Sequence, residues 1–382
     1  MRLASRPFVV LWLSAFTFFL SFLLLLSALP IFARRLGASD AAVGVIMATF
    51  AVSSLLLRPP TGWAADRFGR RPFMLGGALV FVVATIAYGF TGGALGLALV
   101  RLLHGCGMGL YPTAASAMVA DLTPPDRRGE ILGLYGAAGS LALAAGPVLG
   151  ITVVEHWSFS ALFWIAGAVA AMALVLTAVT GETLTHSRRA AFTLRDAFNP
   201  RALFPSLLML SLMFTYGTQV AFLPLHADTH GVNPGVFFLV FALTTTLARG
   251  PAGRLSDRRG RRSVAATGLF FAGVALVLLA LSQDVVGLGA AGAVYGLAYG
   301  TAQPALMAWC VDGAAPADRG RAMGTFYTAL EVGIAIGSMS SGLAVARWGF
   351  VPTFLATAAV AGAGGVLALL GPRTRARPVS AA

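Results

Sequence analysis

The side chains that could do chemistry in this sequence are few, and Glu331 is the most exposed to argument. It lies in an apolar run over about 322–346, roughly 14 Å deep at 1.5 Å of rise per residue. No other acid can be placed near the middle of an apolar stretch. A carboxylate in hydrocarbon is costly, and such residues usually mark proton or substrate pathways. Glu331 is therefore read as a solitary titratable acid; a structural hydrogen bond to a neighbouring helix is the alternative. Arg101 and His104 share a helix face three residues apart, with Arg101 about 9 Å from one end of its apolar run. Two readings stay open for them. Arg101 snorkels to the interface or stands in a proton relay; His104 titrates with it or is hydrogen-bonded structure. Tyr295, Tyr299 and Gln303 form a polar-aromatic stripe at i, i+4, i+8, to which Tyr216, Gln219, Tyr327 and the phenylalanines Phe18, Phe19 and Phe22 are added. Ordinary helix packing is the competing account of any one of them.

Familiar catalytic sets are missing. There is no phosphate-cradling loop, so ATP is excluded as energy source, and no Ser-His-Asp or Cys-His set can be read. His226, Asp228 and His230 offer only a weak metal spacing, better explained as a solvated loop. Cys106 and Cys310 read as small buried hydrophobes. No enzyme, cofactor or metal is expected.

The elements that must hold these residues follow from composition. Of 382 residues, 58% are hydrophobic and 11% charged, against about 25% charged in a soluble chain. A water-facing surface of ordinary size is absent, which excludes both a cytosolic enzyme and a disordered chain. Arg2 and Arg6 precede an apolar run over about 8–29, too long for a cleaved signal and long enough to span a bilayer. Long apolar segments without alternation imply helices, not barrel strands. Twelve are expected, near 8–29, 42–60, 72–90, 95–120, 131–153, 159–180, 203–225, 235–252, 264–282, 286–311, 322–346 and 350–371.

All 27 basic residues are arginine, giving a net charge of +13. They fall in clusters between spans, so nucleic acid is not the expected partner. Of the 27, 23 lie at the termini or in loops on the terminal side; Arg34, Arg35 and Arg347 lie opposite and Arg101 within a span. Retention of positive charge on the inner side places both termini in the cytoplasm, in the cytoplasmic (inner) membrane.

The two halves repeat at an offset of 191. Arg58-Pro-Pro-Thr-Gly62 becomes Arg249-Gly-Pro-Ala-Gly253, Asp66 becomes Asp257, Gly69 becomes Gly260, Asp121 becomes Asp312 and Arg128-Gly129 becomes Arg319-Gly320. Six helices per half make the repeat parallel, with its axis along the membrane normal. The expected fold is an all-α polytopic membrane protein of two pseudo-symmetric six-helix bundles. The divisions are 1–180, a cytoplasmic linker 181–201, 202–371 and a tail 372–382.

The loop Gly62-Trp-Ala-Ala-Asp66-Arg67-Phe-Gly69-Arg70-Arg71 and its copy around Asp257 and Arg261 resemble the motif of the major facilitator superfamily. Helix 4 resembles its second motif, through Arg101 and Gly105, with His104 where Gln is usual. Gly133, Gly146, Pro147 and Gly150 in helix 5 resemble its proton-driven exporter motif, with Ala142 and Ile151 at two glycine positions. The resemblance implies a gate on the cytoplasmic side. Asp66 would face helix 11 near Arg321 and Asp257 would face helix 5 near Glu130. Arg70 would pair with Asp121 and Arg261 with Asp312, with Arg128 and Arg319 beside them. Such contacts between halves would favour the outward-open state. It also implies that helices 1, 4, 7 and 10 line a central cavity, including Phe18, Phe22, Tyr216, Gln219, Tyr295, Tyr299, Gln303 and Tyr327.

The implied activity is proton-coupled export, by alternating access, of small amphipathic compounds, lipophilic or cationic, by a monomer in lipid, with protons as the energy source. A same-fold symporter or uniporter for a sugar, amino acid or other metabolite is the alternative, and a sensor or scramblase a distant third. Asp66→Asn should slow turnover several-fold with little loss of substrate binding; normal transport at normal expression would contradict a gating role.

Overall fold

The computed structural model describes residues 6–123, 128–184, 199–315 and 318–372. Among them, twelve helices are long and apolar enough to cross a membrane. The first span is α1 (Arg6–Leu26), continued by the short α2 (Ala28–Arg35). The break at Ser27 has a local cause: Pro30 cannot donate to the carbonyl of Leu26, and its ring crowds that group. The remaining spans of the first half are α3 (Asp40–Phe68), α4 (Arg71–Ala87), α5 (Ala94–Asp121), α6 (Arg128–His156) and α7 (Phe159–Ala178). Those of the second are α8 (Leu203–Thr229), α9 (Gly235–Arg259), α10 (Arg261–Leu281), α11 (Val285–Asp312), α12 (Arg319–Trp348) and α13 (Phe350–Leu370).

Two boundaries differ from the sequence expectation in a way that matters. That expectation stops helix 2 near residue 60 and helix 8 near 252. The structure carries α3 on to Phe68 and α9 to Arg259, with those prolines inside. Prolines are tolerated in membrane helices, where neighbouring groups satisfy the freed carbonyls. Arg58 and Arg249, counted above as loop residues, therefore lie within helices, each about 15 Å from the helix end.

The packing repeats as the sequence does. In the first half α1 packs on α6 and α7, α3 on α5, and α4 on α5 and α7. In the second α8 packs on α12 and α13, α9 on α11, and α10 on α11 and α13. The halves meet along two seams, α3 against α12 and α6 against α9. The tight turns into α4 and α10 use equivalent glycines, Gly69 at φ +105° and Gly260 at φ +89°, a region closed to most side chains. On the face away from the termini, Ser39, Ser158 and Asp284 cap α3, α7 and α11 by accepting from the amides of Ala42, Ala161 and Gly287.

The two faces are not equally closed. Near the capped face, a Cβ on Gly44 of α3 would lie 2.5 Å from the Ser338 carbonyl oxygen and 3.0 Å from Gly342 Cα of α12. Gly235 of α9 is as tight, and a Cβ there would collide with the Val148 backbone of α6. Toward the terminal face the same helices part: a Cβ on Gly133 or Gly136 of α6, or on Gly250 or Gly253 of α9, meets nothing within 4 Å. The halves are thus shut at the capped face and open at the arginine-rich, terminal face. Cys310 is buried, whereas Cys106 is only half-buried.

Within the first half, a Cβ on Gly150 of α6 would collide with the Leu24 carbonyl oxygen. Gly150→Val should therefore destabilise by about 1–3 kcal/mol through overpacking. Gly62→Ala, with only Thr113 Cγ2 at 3.9 Å, should leave thermal unfolding in detergent almost unchanged.

Candidate functional site

Glu331 does not stand alone. Its Oε1 lies 2.7 Å from Arg58 Nη2, and the Ser54 hydroxyl donates to the same oxygen at 3.4 Å. Arg58 and Ser54 come from α3 and Glu331 from α12, so the pair crosses between the halves. The expectation of a solitary acid is corrected: the partner is Arg58, which the charge count groups with the terminal-side loops although the span expected near 42–60 contains it. Glu331 is 8% exposed and Arg58 30%. Burial makes the attraction strong, and makes the carboxylate costly without its partner. The pair sits about 21 Å along α3 from the tight Gly44 contact, toward the open face.

Around it the second half supplies hydroxyls and one more cation. Tyr327 lies one turn below Glu331 and within electrostatic reach of Arg58. Tyr299 of α11 is within reach of Arg249, Tyr327 and Glu331. Arg249 Nη2 donates to Gln303 Oε1 at 3.4 Å. Tyr216 of α8 stands 6.3 Å from Tyr299, centroid to centroid. Tyr295 is fully buried and exchanges a 2.9 Å hydrogen bond with Thr215; Gln219 is buried too, its Oε1 without a partner among the described residues. The cluster brings Tyr216, Tyr299, Gln303, Tyr327 and Glu331 together. Arg58 and Arg249, repeat-related and at equal depth, are not singled out from the sequence. The shared offset was the available signal. Phe18 belongs elsewhere: it is fully buried, stacked on Phe81 at 3.9 Å and Tyr111 at 4.0 Å. It is core of the first bundle and lines no opening. Phe22 stacks on Phe50 at 4.7 Å, nearer the seam.

The motif loops form matched clusters. Arg70 Nη1 meets Asp66 at 2.5 Å and its Nε meets Asp121 at 3.2 Å. Arg261 Nη1 meets Asp257 at 2.5 Å and its Nε meets Asp312 at 3.0 Å. These four pairs stay inside their own halves, so Asp66 and Asp257 are held by the arginine one turn on rather than acting as bridges between halves. The side chains of Arg128 and Glu130 lie outside the described residues, and Arg319 is exposed at the start of α12. Sequence reasoning missed Glu182, just past α7. Its Oε1 accepts from the amides of Arg70, Thr183 and Leu184, and its Oε2 from that of Arg71. Burial pushes its carboxyl upward, but the four amide donors outweigh that and hold it below the usual carboxylate range.

Arg101 is 2% exposed, with its guanidinium carbon 4.5 Å from the Phe50 ring centroid. That overturns snorkelling: the side chain is folded among aromatics, not extended to the interface. His104 is fully buried, with Nδ1 3.0 Å from the Tyr88 hydroxyl. In helix 5's counterpart, α6, Gly146 and Gly150 lie against Leu23 and Leu24, with Pro147 between, while Gly133 faces open space. His226 Nε2 is turned to the Ser282 carbonyl.

A model of the Major Facilitator Superfamily matches residues 11–248 and 234–382. The chain belongs to that superfamily. It is a multi-pass membrane transporter, not an enzyme. Among its relatives, multidrug resistance protein MdtG of Escherichia fergusonii is 24% identical over 377 residues, covering 93% of this chain and 92% of the relative. An uncharacterized MFS-type transporter, MJ1560, of Methanocaldococcus jannaschii is 23% identical over 354 residues, with 89% and 91% covered. Two solved structures share the fold. The human organic anion transporter MFSD10 has a TM-score of 0.70 at 22% identity, covering 95% of this chain and 99% of that one. A point mutant of the nucleoside transporter NupG has a TM-score of 0.79 at 15% identity, with 96% and 99% covered.

Arg58→Gln strands a buried carboxylate and should cost about 2 kcal/mol, below the ~3–5 of a fully buried pair because Arg58 is partly exposed. The double substitution Arg58→Met with Glu331→Met should cost less than either single polar replacement. A double-mutant cycle by thermal unfolding checks this; strictly additive losses would mean the pair carries no coupling.

Proposed function

We propose that the chain is a proton-coupled exporter of small amphipathic organic compounds, working by alternating access in the cytoplasmic membrane with both termini inside. The distribution of arginine supports that orientation, which makes the open face the cytoplasmic one. The observation that carries the reading is the Arg58–Glu331 pair across the α3–α12 seam. Protonation of Glu331 dissolves the attraction. Loss of the proton to the cytoplasm re-forms the pair within the open-faced conformation described above, the one that loads substrate. Each proton entering across about 100 mV releases roughly 2.3 kcal/mol. The gate motifs around Arg70 and Arg261 hold the helix ends rigid as the halves rock, and Arg101 with His104 offers a relay from the outer side. The similarity to MdtG, a multidrug resistance protein, and the glycine contacts of α6 favour export.

The substrate is better neutral than cationic. Around Glu331 stand two guanidiniums, Arg58 and Arg249, which repel a permanent cation. The aromatic hydroxyls of Tyr299 and Tyr327 suit a compound with an apolar body and a few hydrogen-bonding groups. Arg249 also carries a second reading. An organic anion would bind most tightly when Glu331 is protonated, and would then travel with the proton, as in symport.

Proteoliposome flux under an imposed pH gradient separates the two. Antiport predicts substrate accumulation in acidic-lumen vesicles through inward-facing transporters; symport predicts the reverse. In either case Glu331→Gln should lose uphill, gradient-driven flux and keep downhill exchange. Uphill flux at the wild-type rate in that variant would remove Glu331 from the coupling step.

A further inference from the structure

A cavity at the terminal face belongs neither to the central seam nor to the motif loops. It encloses about 300 Å³ between the first turns of α1, the end of α5 and the exit of α7. That volume is at the lower end for a small-molecule site. Its walls are mostly apolar, with Val10 and Leu11 from α1, Met118 and Leu122 from α5, and Val179 beyond α7. Arg6 stands at the rim, and Thr180, Glu182 and Thr183 complete the lining.

The polar groups in this lining are already engaged, with one exception. Both Glu182 oxygens are taken by four backbone amides. The Thr180 hydroxyl donates to the Thr177 carbonyl at 2.7 Å, and that of Thr183 to Asp121 at 3.1 Å. Arg6 is exposed and makes no ion pair with any described residue. What the cavity leaves unmatched is one guanidinium above a hydrocarbon-lined recess.

We propose that this cavity binds a free single-chain organic carboxylate. The carboxylate pairs with Arg6, in a charge-assisted contact, and the chain lies among Val10, Leu11, Met118 and Leu122, where its burial provides the affinity. The site has a bearing on the gate. Glu182 and Thr183 form one wall, and the same two residues hold the amides of Arg70 and Arg71 and the side chain of Asp121. A bound chain braces that wall and fixes the loop that joins α3 to α4. Occupancy therefore slows transport without competing at the central seam.

The full chain in phosphatidylcholine nanodiscs is labelled with a photoreactive decanoate, and the modified peptides are mapped by mass spectrometry. Label should fall on segments 6–11, 118–122 and 179–183. Excess decanoate should suppress it, whereas decyltrimethylammonium should not. Arg6→Gln should reduce labelling about tenfold, the loss of one charge-assisted contact, and Leu122→Trp should abolish it by filling the recess. Both variants are first checked for wild-type thermal unfolding; where Leu122→Trp misfolds, Val10→Phe serves instead. Label spread along lipid-facing helices, equal competition by the cation, or indifference to Arg6→Gln would each overturn the proposal.

Discussion

Two opposite charges facing each other across a low-dielectric seam constrain the rest of this molecule. Neither Arg58 nor Glu331 can be left alone at such depth at small cost. The ion pair ties α3 of one half to α12 of the other. The pair lies toward the terminal face of a seam that, at Gly44 and Gly342 near the capped face, is backbone against backbone.

Polar clasps bind the helices of each half to one another. In each half the motif arginine holds two carboxylates, Arg70 with Asp66 and Asp121, Arg261 with Asp257 and Asp312. A second arginine reaches the end of the last span of its half: Arg71 donates to the Ala178 carbonyl and Arg262 to that of Gly371. These contacts lock helices of one half to each other. The main contacts between the halves run along α3–α12 and α6–α9. Membrane helices gain little from hydrophobic sorting against lipid, so close glycine contacts and polar clasps of this kind set which surfaces stay together.

Much of this was legible in the sequence, for physical reasons. Hydrocarbon demands unbroken apolar helices, so the spans announced themselves, and the offset of 191 exposed the duplication because the glycines and charges of tight turns tolerate little change. What was hidden depended on contacts between distant residues or on rules that membranes relax. Arg58 was counted with the terminal-side loop arginines although the span expected near 42–60 contains it, because a charge at a span's end reads as part of the loop beyond it. With Arg58 in a loop, Glu331 had no partner to be assigned. Phe18 was grouped with the cavity residues by its helix alone; a single sequence does not say which side of a wholly apolar helix faces the opening. Glu182 lay in a polar connection, where an acidic residue is unremarked until its four donors are seen.

Glu182 also breaks the repeat, since the position 191 residues after it is Arg373. The carboxylate that seals the turn at Gly69 therefore has no sibling. A Cβ at Gly69 would lie 2.5 Å from its Oε2, whereas one at Gly260 meets no described atom within 4 Å. The two motif turns are therefore unequal: the one at Gly69 is sealed by a carboxylate drawn from the head of the segment joining the halves.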